Sequence, residues 1–192
     1  MRGDDVDTDR IMPARFLRAI TFDGLEAHVF EDDRLAASRA GQVHPFDDPR
    51  FSGASVLLVN RNFGSGSSRE HAPQGLRRSG IRGIVGESFA EIFFGNSLMI
   101  GLACLTAAAA DIEALMALAA REPQTIFIVD VRAGTCTAGG LTVPLAVPAN
   151  VRDALTTGAW DTTGLLTERY DEVNAVASRL PYLNGFAAPR ST

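Results

Sequence analysis

The feature that most constrains the fold is the segment Asn62 to His71, NFGSGSSREH, together with what flanks it. Upstream, Ser55 to Val59 (SVLLV) is a short apolar run that reads as a buried strand. Downstream, His71 to Ser79 reads as a helix closed by Gly80, a residue suited to the left-handed position just past a helix end. Ile81 to Val85 (IRGIV) then reads as the next strand. Ser88 and Glu91 have the S-x-x-E capping spacing and open a second predicted helix, with Phe89, Ile92 and Phe93 on its apolar face. Leu102 to Leu105 reads as a further short strand. Asp111 to Ala120 reads as a helix closed by Pro123. Thr125 to Val131 (TIFIVDV) is the clearest strand, and Gly139-Gly140 turns into Leu141 to Val147, its expected hairpin partner. Val151 to Thr156 and Glu168 to Leu180 are expected helices. Alternating strands and helices followed by a hairpin predict a mixed α/β domain. The Pro-, Asp- and Gly-rich stretch Gly41 to Gly53 reads as a surface loop. A chain of 192 residues suits one domain over 1–192, with its core at about 3–150 and a C-terminal helical appendage at about 151–192.

The loop's residue types point to an anion. Glycines let backbone N–H groups converge on a ligand. A helix start adds roughly half a positive charge. Arg69 adds a full charge on a planar fork that matches a carboxylate. Ser67 and Glu70 also match a capping box, so an ordinary capped turn satisfies the same spacing. Pro73 is comfortable only in a first helical turn, which moves the helix start toward Glu70 and leaves Ser67 and Ser68 in the loop. Three commoner motifs are absent. A P-loop requires G-K-[ST] where the chain has G-S-S-R, no G-x-S-x-G elbow occurs, and Arg69 stands where a dinucleotide fingerprint has its third glycine.

At the other end of the chain, GDDVDTDRIMP places Asp4, Asp5, Asp7 and Asp9 within six residues. Clustered carboxylates coordinate Mg²⁺, orient water or accept hydrogen bonds; a solvated acidic turn is the plainer reading. Asp5-Val6-Asp7-Thr8 lacks the long apolar strand that precedes a phosphoaspartate nucleophile. Ala14 to Ala19 (ARFLRA) combines Arg15 and Arg18 with Phe16 and Leu17, and reads either as an anchored surface turn or as a loop that selects carboxylate substrates. His28 and His44 read as structural or exposed, His71 as packing or orienting the loop, and Trp160, Phe93 and Phe94 as core.

The net charge of −5 argues against nucleic acid as a partner. The longest apolar candidate, Leu102 to Ala110, is too short for a membrane span, and MRGDDVDTDR has no apolar signal region. A cytoplasmic location is expected. Cys104 and Cys136, 32 residues apart, match neither a disulfide framework nor a metal spacing. No metal ligands are therefore assigned to this chain.

Taken together, these segments resemble the aconitase superfamily on its swivelling-domain branch. GDDVDTDRIMPARFL resembles that family's N-terminal D-T-D segment, NFGSGSSREHAP its G-S-S-R-E-H signature, and ESFAEIFFGNSLMIGL its S-F-A-x-I-F-x-x-N stretch. The likeness is strong over residues 3 to about 105 and looser beyond. It implies an α/β swivelling β/β/α fold, a mixed-sheet or barrel-like core with flanking helices. It implies a hydro-lyase that moves a hydroxyl between adjacent carbons of a malate-type acid. The expected reaction interconverts 2-isopropylmalate and 3-isopropylmalate in leucine biosynthesis. Homoaconitate, citraconate/methylmalate or dimethylmalate are alternative substrates, and a non-catalytic anion-binding module is an alternative role. The likeness further implies a [4Fe-4S] cluster held by a large partner subunit in a heterodimer, and not by this chain. By resemblance, Ser67 is the catalytic base, Arg69 the carboxylate clamp and Asp9 the active-site aspartate; Ser68, Gly66 and Arg18 contact substrate. Two departures stand out: many relatives have Cys where Ser65 stands, and relatives usually carry a leading strand before the segment that begins here at Gly3.

Overall fold

The computed structural model describes residues 1–67 and 69–186. In chain order the regular elements are α1 (Thr8–Ile11), α2 (Glu31–Arg39), β1 (Val56–Val59), α3 (His71–Arg78), β2 (Gly83–Gly86), α4 (Glu91–Met99), β3 (Ala103–Thr106), α5 (Ala109–Arg121), β4 (Phe127–Asp130), β5 (Thr135–Ala138), β6 (Leu141–Pro144), α6 (Ala149–Thr157), α7 (Thr162–Glu168) and α8 (Tyr170–Ala177). Short 3₁₀ turns occupy Ala14–Arg18, Leu25–His28, Pro49–Phe51 and Pro181–Asn184.

β1, β2 and β3 form a parallel sheet in that order, in register Val56–Gly83–Ala103. Helices α3 and α4 make the crossovers that parallel neighbours require. Successive residues of these strands alternate between two cores. Leu57, Val59, Ile84 and Cys104 face the first, with Leu76, Phe63, Phe93, Ile11, Met12 and Phe30. Leu58, Val85 and Leu105 face the second, with Ile112, Leu115 and Leu118 of α5 and Cys136 and Val143 of the second sheet. Burial on both faces is why these strands read as unbroken apolar runs rather than alternating ones. β4, β5 and β6 form an antiparallel meander. A bridge between Thr106 and Ala146 (Thr106 N to Ala146 O 3.0 Å, Ala146 N to Thr106 O 2.7 Å) joins the two sheets. The mixed α/β architecture with flanking helices agrees with the expected class.

Three local expectations are corrected. Ser88 caps nothing: α4 begins at Glu91 behind Ala90, with no side-chain cap bond. The hairpin partner of β6 is β5, at Thr135–Ala138, a stretch too short and too mixed in composition to stand out; TIFIVDV supplies β4 on its far side. The stretch Glu168 to Leu180 is not one helix, because the backbone departs from helical geometry at Arg169. The Gly41–Gly53 stretch is a largely exposed loop, as expected, and includes the short 3₁₀ turn at Pro49–Phe51. Neither α7 nor α8 has a buried residue, and residues 187–192 of the expected appendage lie outside the described residues.

Candidate active site

The Asn62–Arg69 loop leaves the carboxyl end of β1, where open α/β sheets place their ligands. It is laced to the two other motif segments, one on each side. On one side runs the N-terminal segment. The Met1 nitrogen donates to Leu58 O (2.6 Å), Gly3 N to Asn60 Oδ1 (2.9 Å), and Asp5 N to Arg61 O (2.9 Å). Asp7 and Ser65 form a parallel bridge, and Thr8 N donates to Ser65 O (2.8 Å). On the other side, Asn62 N donates to Ser88 Oγ (2.8 Å), Phe63 N to Ser88 O (3.1 Å), and Ala90 N to Phe63 O (3.0 Å). The hydroxyl expected to cap a helix thus holds the loop instead.

Two glycines set the loop's shape. Gly64 sits at φ +80°, and a Cβ there would lie 2.5 Å from Phe93 Cβ and 2.6 Å from its Cδ2. Gly66 sits at φ +91° with room for a Cβ, so its requirement is conformational. The expectation that these amides converge on a ligand is corrected in part. Gly64 N (2.7 Å) and Ser65 N (3.2 Å) both donate to Val6 O, so they hold the D-T-D segment.

All four aspartates of the acidic segment have specific partners. Asp4 pairs with Arg61 at 3.0 Å, and Asp5 accepts from Asn62 Nδ2 at 2.8 Å. Asp7 caps α1 by accepting from Arg10 N at 2.7 Å. Asp9 pairs with Arg69 through a single Nη1–Oδ1 contact. The acidic cluster is therefore a fastening, and among the described residues no group of His, Cys, Asp and Glu comes together that would hold a metal ion.

The structure brings Asp9, Gly66, Ser67 and Arg69 into one place. Because α3 begins at His71 with Glu70 at its N-cap and no side-chain cap bond, Ser67 stays in the loop and is exposed. The Arg69 side chain is 14% exposed, whereas that of Asp9 is 52% exposed. The guanidinium is thus seated in protein while its partner faces outward. Ser68 lies outside the described residues. Arg18 ends an exposed 3₁₀ turn and joins none of the bonds that assemble the loop. Sequence reasoning missed Thr8. Its side chain is buried at 3% exposure, and Oγ1 donates to Ser67 O (3.0 Å). A threonine within an otherwise acidic run was the available signal.

The face is open. A groove of about 320 Å³ lies between the sheets, lined by Glu87, Thr106, Pro144 and Leu145, but it includes neither Ser67 nor Arg69. Cys104 lies in the first core and Cys136 in the second, and burial pushes the Cys104 thiol up to about 12. Two thiols in separate cores do not make a ligand set for an iron–sulfur cluster. Burial also lowers the His44 imidazole, whose Nδ1 accepts from Phe46 N at 3.2 Å; its role is packing under Phe30.

The family model for the aconitase C-terminal domain matches residues 2–110, which contain all three laced segments. The 3-isopropylmalate dehydratase small subunit of Synechocystis is 47% identical over 182 residues, covering 95% of this chain and 90% of the relative. The small subunits of the same name from two Thermus thermophilus strains are 43% and 44% identical over the same length. The crystal structure of 3-isopropylmalate dehydratase from Methanocaldococcus jannaschii superposes with a TM-score of 0.63 at 25% identity, covering 91% of this chain and 94% of that one. The chain belongs to the aconitase C-terminal domain family, among the 3-isopropylmalate dehydratase small subunits.

Proposed function

We propose that this chain is the small half of a cytoplasmic hydro-lyase that interconverts 2-isopropylmalate and 3-isopropylmalate in leucine biosynthesis, and that it turns over only in a heterodimer with a large subunit. The observation that carries this reading is the convergence of Ser67, Arg69 and Asp9 on one open face, assembled from three separate segments. The names of the relatives support a large partner, since each is called a small subunit.

In this reading Ser67 Oγ removes the proton from the carbon beside a substrate carboxylate, hydroxide leaves the neighbouring carbon, and an alkene results. Water then re-adds with the opposite orientation, and Ser67 returns its proton to the carbon that lost hydroxide. A serine alkoxide is unfavourable in water, so the step requires a site closed to solvent with positive charge nearby. Arg69 supplies that charge and clamps a substrate carboxylate. Asp9 orients Arg69 through its one-point contact, which leaves the fork's remaining donors for substrate. Gly66 and Ser68 contact substrate from the loop, and Arg18 selects among substrates. The exposed face is closed by the partner, which also holds the [4Fe-4S] cluster that supplies Lewis acidity.

The test is anaerobic reconstitution with a cluster-loaded large subunit. The isolated chain is expected to be inactive and the complex active on isopropylmalate, in preference to homoaconitate or citraconate. Ser67→Ala is expected to bind the partner normally and to abolish turnover. Turnover by the isolated chain, or a near-normal rate in Ser67→Ala, would overturn the reading.

A further inference from the structure

Two histidines that the proposed chemistry leaves unused stand at the two ends of one exposed segment. The Phe16 ring lies flat on His28, with centroids 3.9 Å apart and planes 18° apart. The Arg15 guanidinium lies over the same Phe16 ring, 4.8 Å from its centroid. Arg15 is in turn held by Glu31 at 2.5 Å and by Asp32 at 2.8 and 2.9 Å. The other carboxylate oxygen of Glu31 is 3.4 Å from His28 Nδ1. Phe16, His28 and Arg15 are thus one unit, fastened to the first turn of α2.

Six residues on, Phe22 meets His71 edge to face, with centroids 5.1 Å apart and planes at 79°. His71 opens α3, two residues after Arg69, and its Nε2 is buried with no hydrogen-bond partner among the described residues. Between the two aromatic contacts, Arg18, Ala19, Ile20 and Thr21 are exposed, and Ile20 is wholly so. The segment is an arch with two feet. One foot stands on His28, the last residue of the 3₁₀ turn Leu25–His28, and is tied through Arg15 to α2; the other stands on the helix that follows the Ser67 loop.

We propose that His28 and His71 are positioning residues whose rings fix the two feet of the arch Phe16–Phe22, so that its crown, carrying Arg18 and Ile20, is held in a set place relative to Arg69. The proposal rests on the substrate-selecting role given to Arg18 above. The rings act by packing, through a stacked contact at one end and an edge-to-face contact at the other. The arch is exposed, so without its feet its conformational freedom is that of an ordinary loop tip. Each foot lies on or is tied to an element that also fixes part of the site. α2 holds Arg10, next to Asp9, through Asp33 at 2.8 Å, and α3 follows directly on Arg69.

The test pairs ring-removing with ring-keeping substitutions, and reads both the arch and the kinetics. In the full-length chain, trypsin cleavage after Arg18 is followed by mass. His28→Ala and His71→Ala are expected to speed cleavage roughly tenfold, while His28→Phe and His71→Phe stay at the wild-type rate. In the reconstituted complex, the Ala variants are expected to raise KM for isopropylmalate roughly tenfold with kcat changed much less, and the Phe variants to restore both. Should His71→Ala disturb α3, Phe22→Ala removes the same contact from the arch and is expected to give the same result. The proposal is overturned if the Ala variants cleave and bind as wild type. It is equally overturned if the Phe variants raise KM as far as the Ala variants, because the imidazoles would then act through more than their packing. If the wild-type complex does not turn over isopropylmalate, the functional reading fails by itself, and the trypsin comparison alone decides the role of the two rings.

Discussion

Replacing Gly64 with alanine tests whether the Ser67 loop is braced by the first core. Gly64 sits at φ +80°, and the left-handed region costs an L-residue about 1–2 kcal/mol. The new Cβ also lands 2.5–2.6 Å from Phe93 Cβ and Cδ2. Phe93 has no room to swing away. It is 2% exposed, and its ring is edge-on to Phe63 at 5.3 Å. Overpacking of this kind costs about 1–3 kcal/mol. Alanine restricts the unfolded chain relative to glycine, which offsets about 0.4–1 kcal/mol. The net expectation is a loss of about 2–4 kcal/mol by urea denaturation. At roughly 2–4 °C per kcal/mol for a chain of this size, the melting temperature falls by roughly 4–16 °C. Gly53→Ala is the control. It has nearly the same dihedral, φ +79°, but nothing within 4 Å of the new Cβ, so it loses only about 1 kcal/mol. The difference between the two variants isolates the overlap with Phe93. A Gly64→Ala loss no larger than that of Gly53→Ala would refute the bracing.

Thr8→Val keeps the shape of a buried side chain but removes the donor to Ser67 O, so a loss of about 1 kcal/mol is expected in urea denaturation. Turnover in the complex is expected to fall roughly tenfold as the loop loosens, and unchanged kinetics would show that the bond does not position Ser67. Burial raises the Cys104 thiol to about 12 from an ordinary value of 9.0, so the folded chain keeps a proton that the unfolded chain loses. The stability this contributes is intact below about pH 9 and falls between about pH 9 and about pH 12, with a slope approaching about 1.4 kcal/mol per pH unit. Cys104→Ala is expected to flatten that fall in pH-dependent denaturation, and a decline of the same steepness in the variant would place its source elsewhere.

Much of the fold is legible because the relevant signals are local. The apolar runs of β1, β2 and β3 alternate with helices closed by glycine or proline, and that alternation alone indicates an α/β unit. The signals that misled are local patterns overruled by longer-range partners. Ser88 has the spacing of a cap, yet its hydroxyl is taken by Asn62 N, 26 residues away. β5 carries threonines and alanine, and becomes a strand because β4 and β6 flank it. Arg169 breaks what reads as a single helix.

Residue types and spacing specify the parts of the proposed site: a turn requiring glycine at positive φ, a serine beside it and an arginine fork. The sequence also supplies only two cysteines, 32 residues apart, at no metal-ligand spacing. The tertiary structure alone decided how those parts meet. The amides of Gly64 and Ser65 are spent on Val6, and Asp9 reaches Arg69 across 60 residues of sequence. His28 stacks on Phe16, and His71 meets Phe22 edge to face. The physical reason is the same in each case. Turn chemistry depends on the dihedral preferences of a few adjacent residues, whereas the identity of a hydrogen-bond or ring partner depends on which distant segment the packing of the two cores brings alongside.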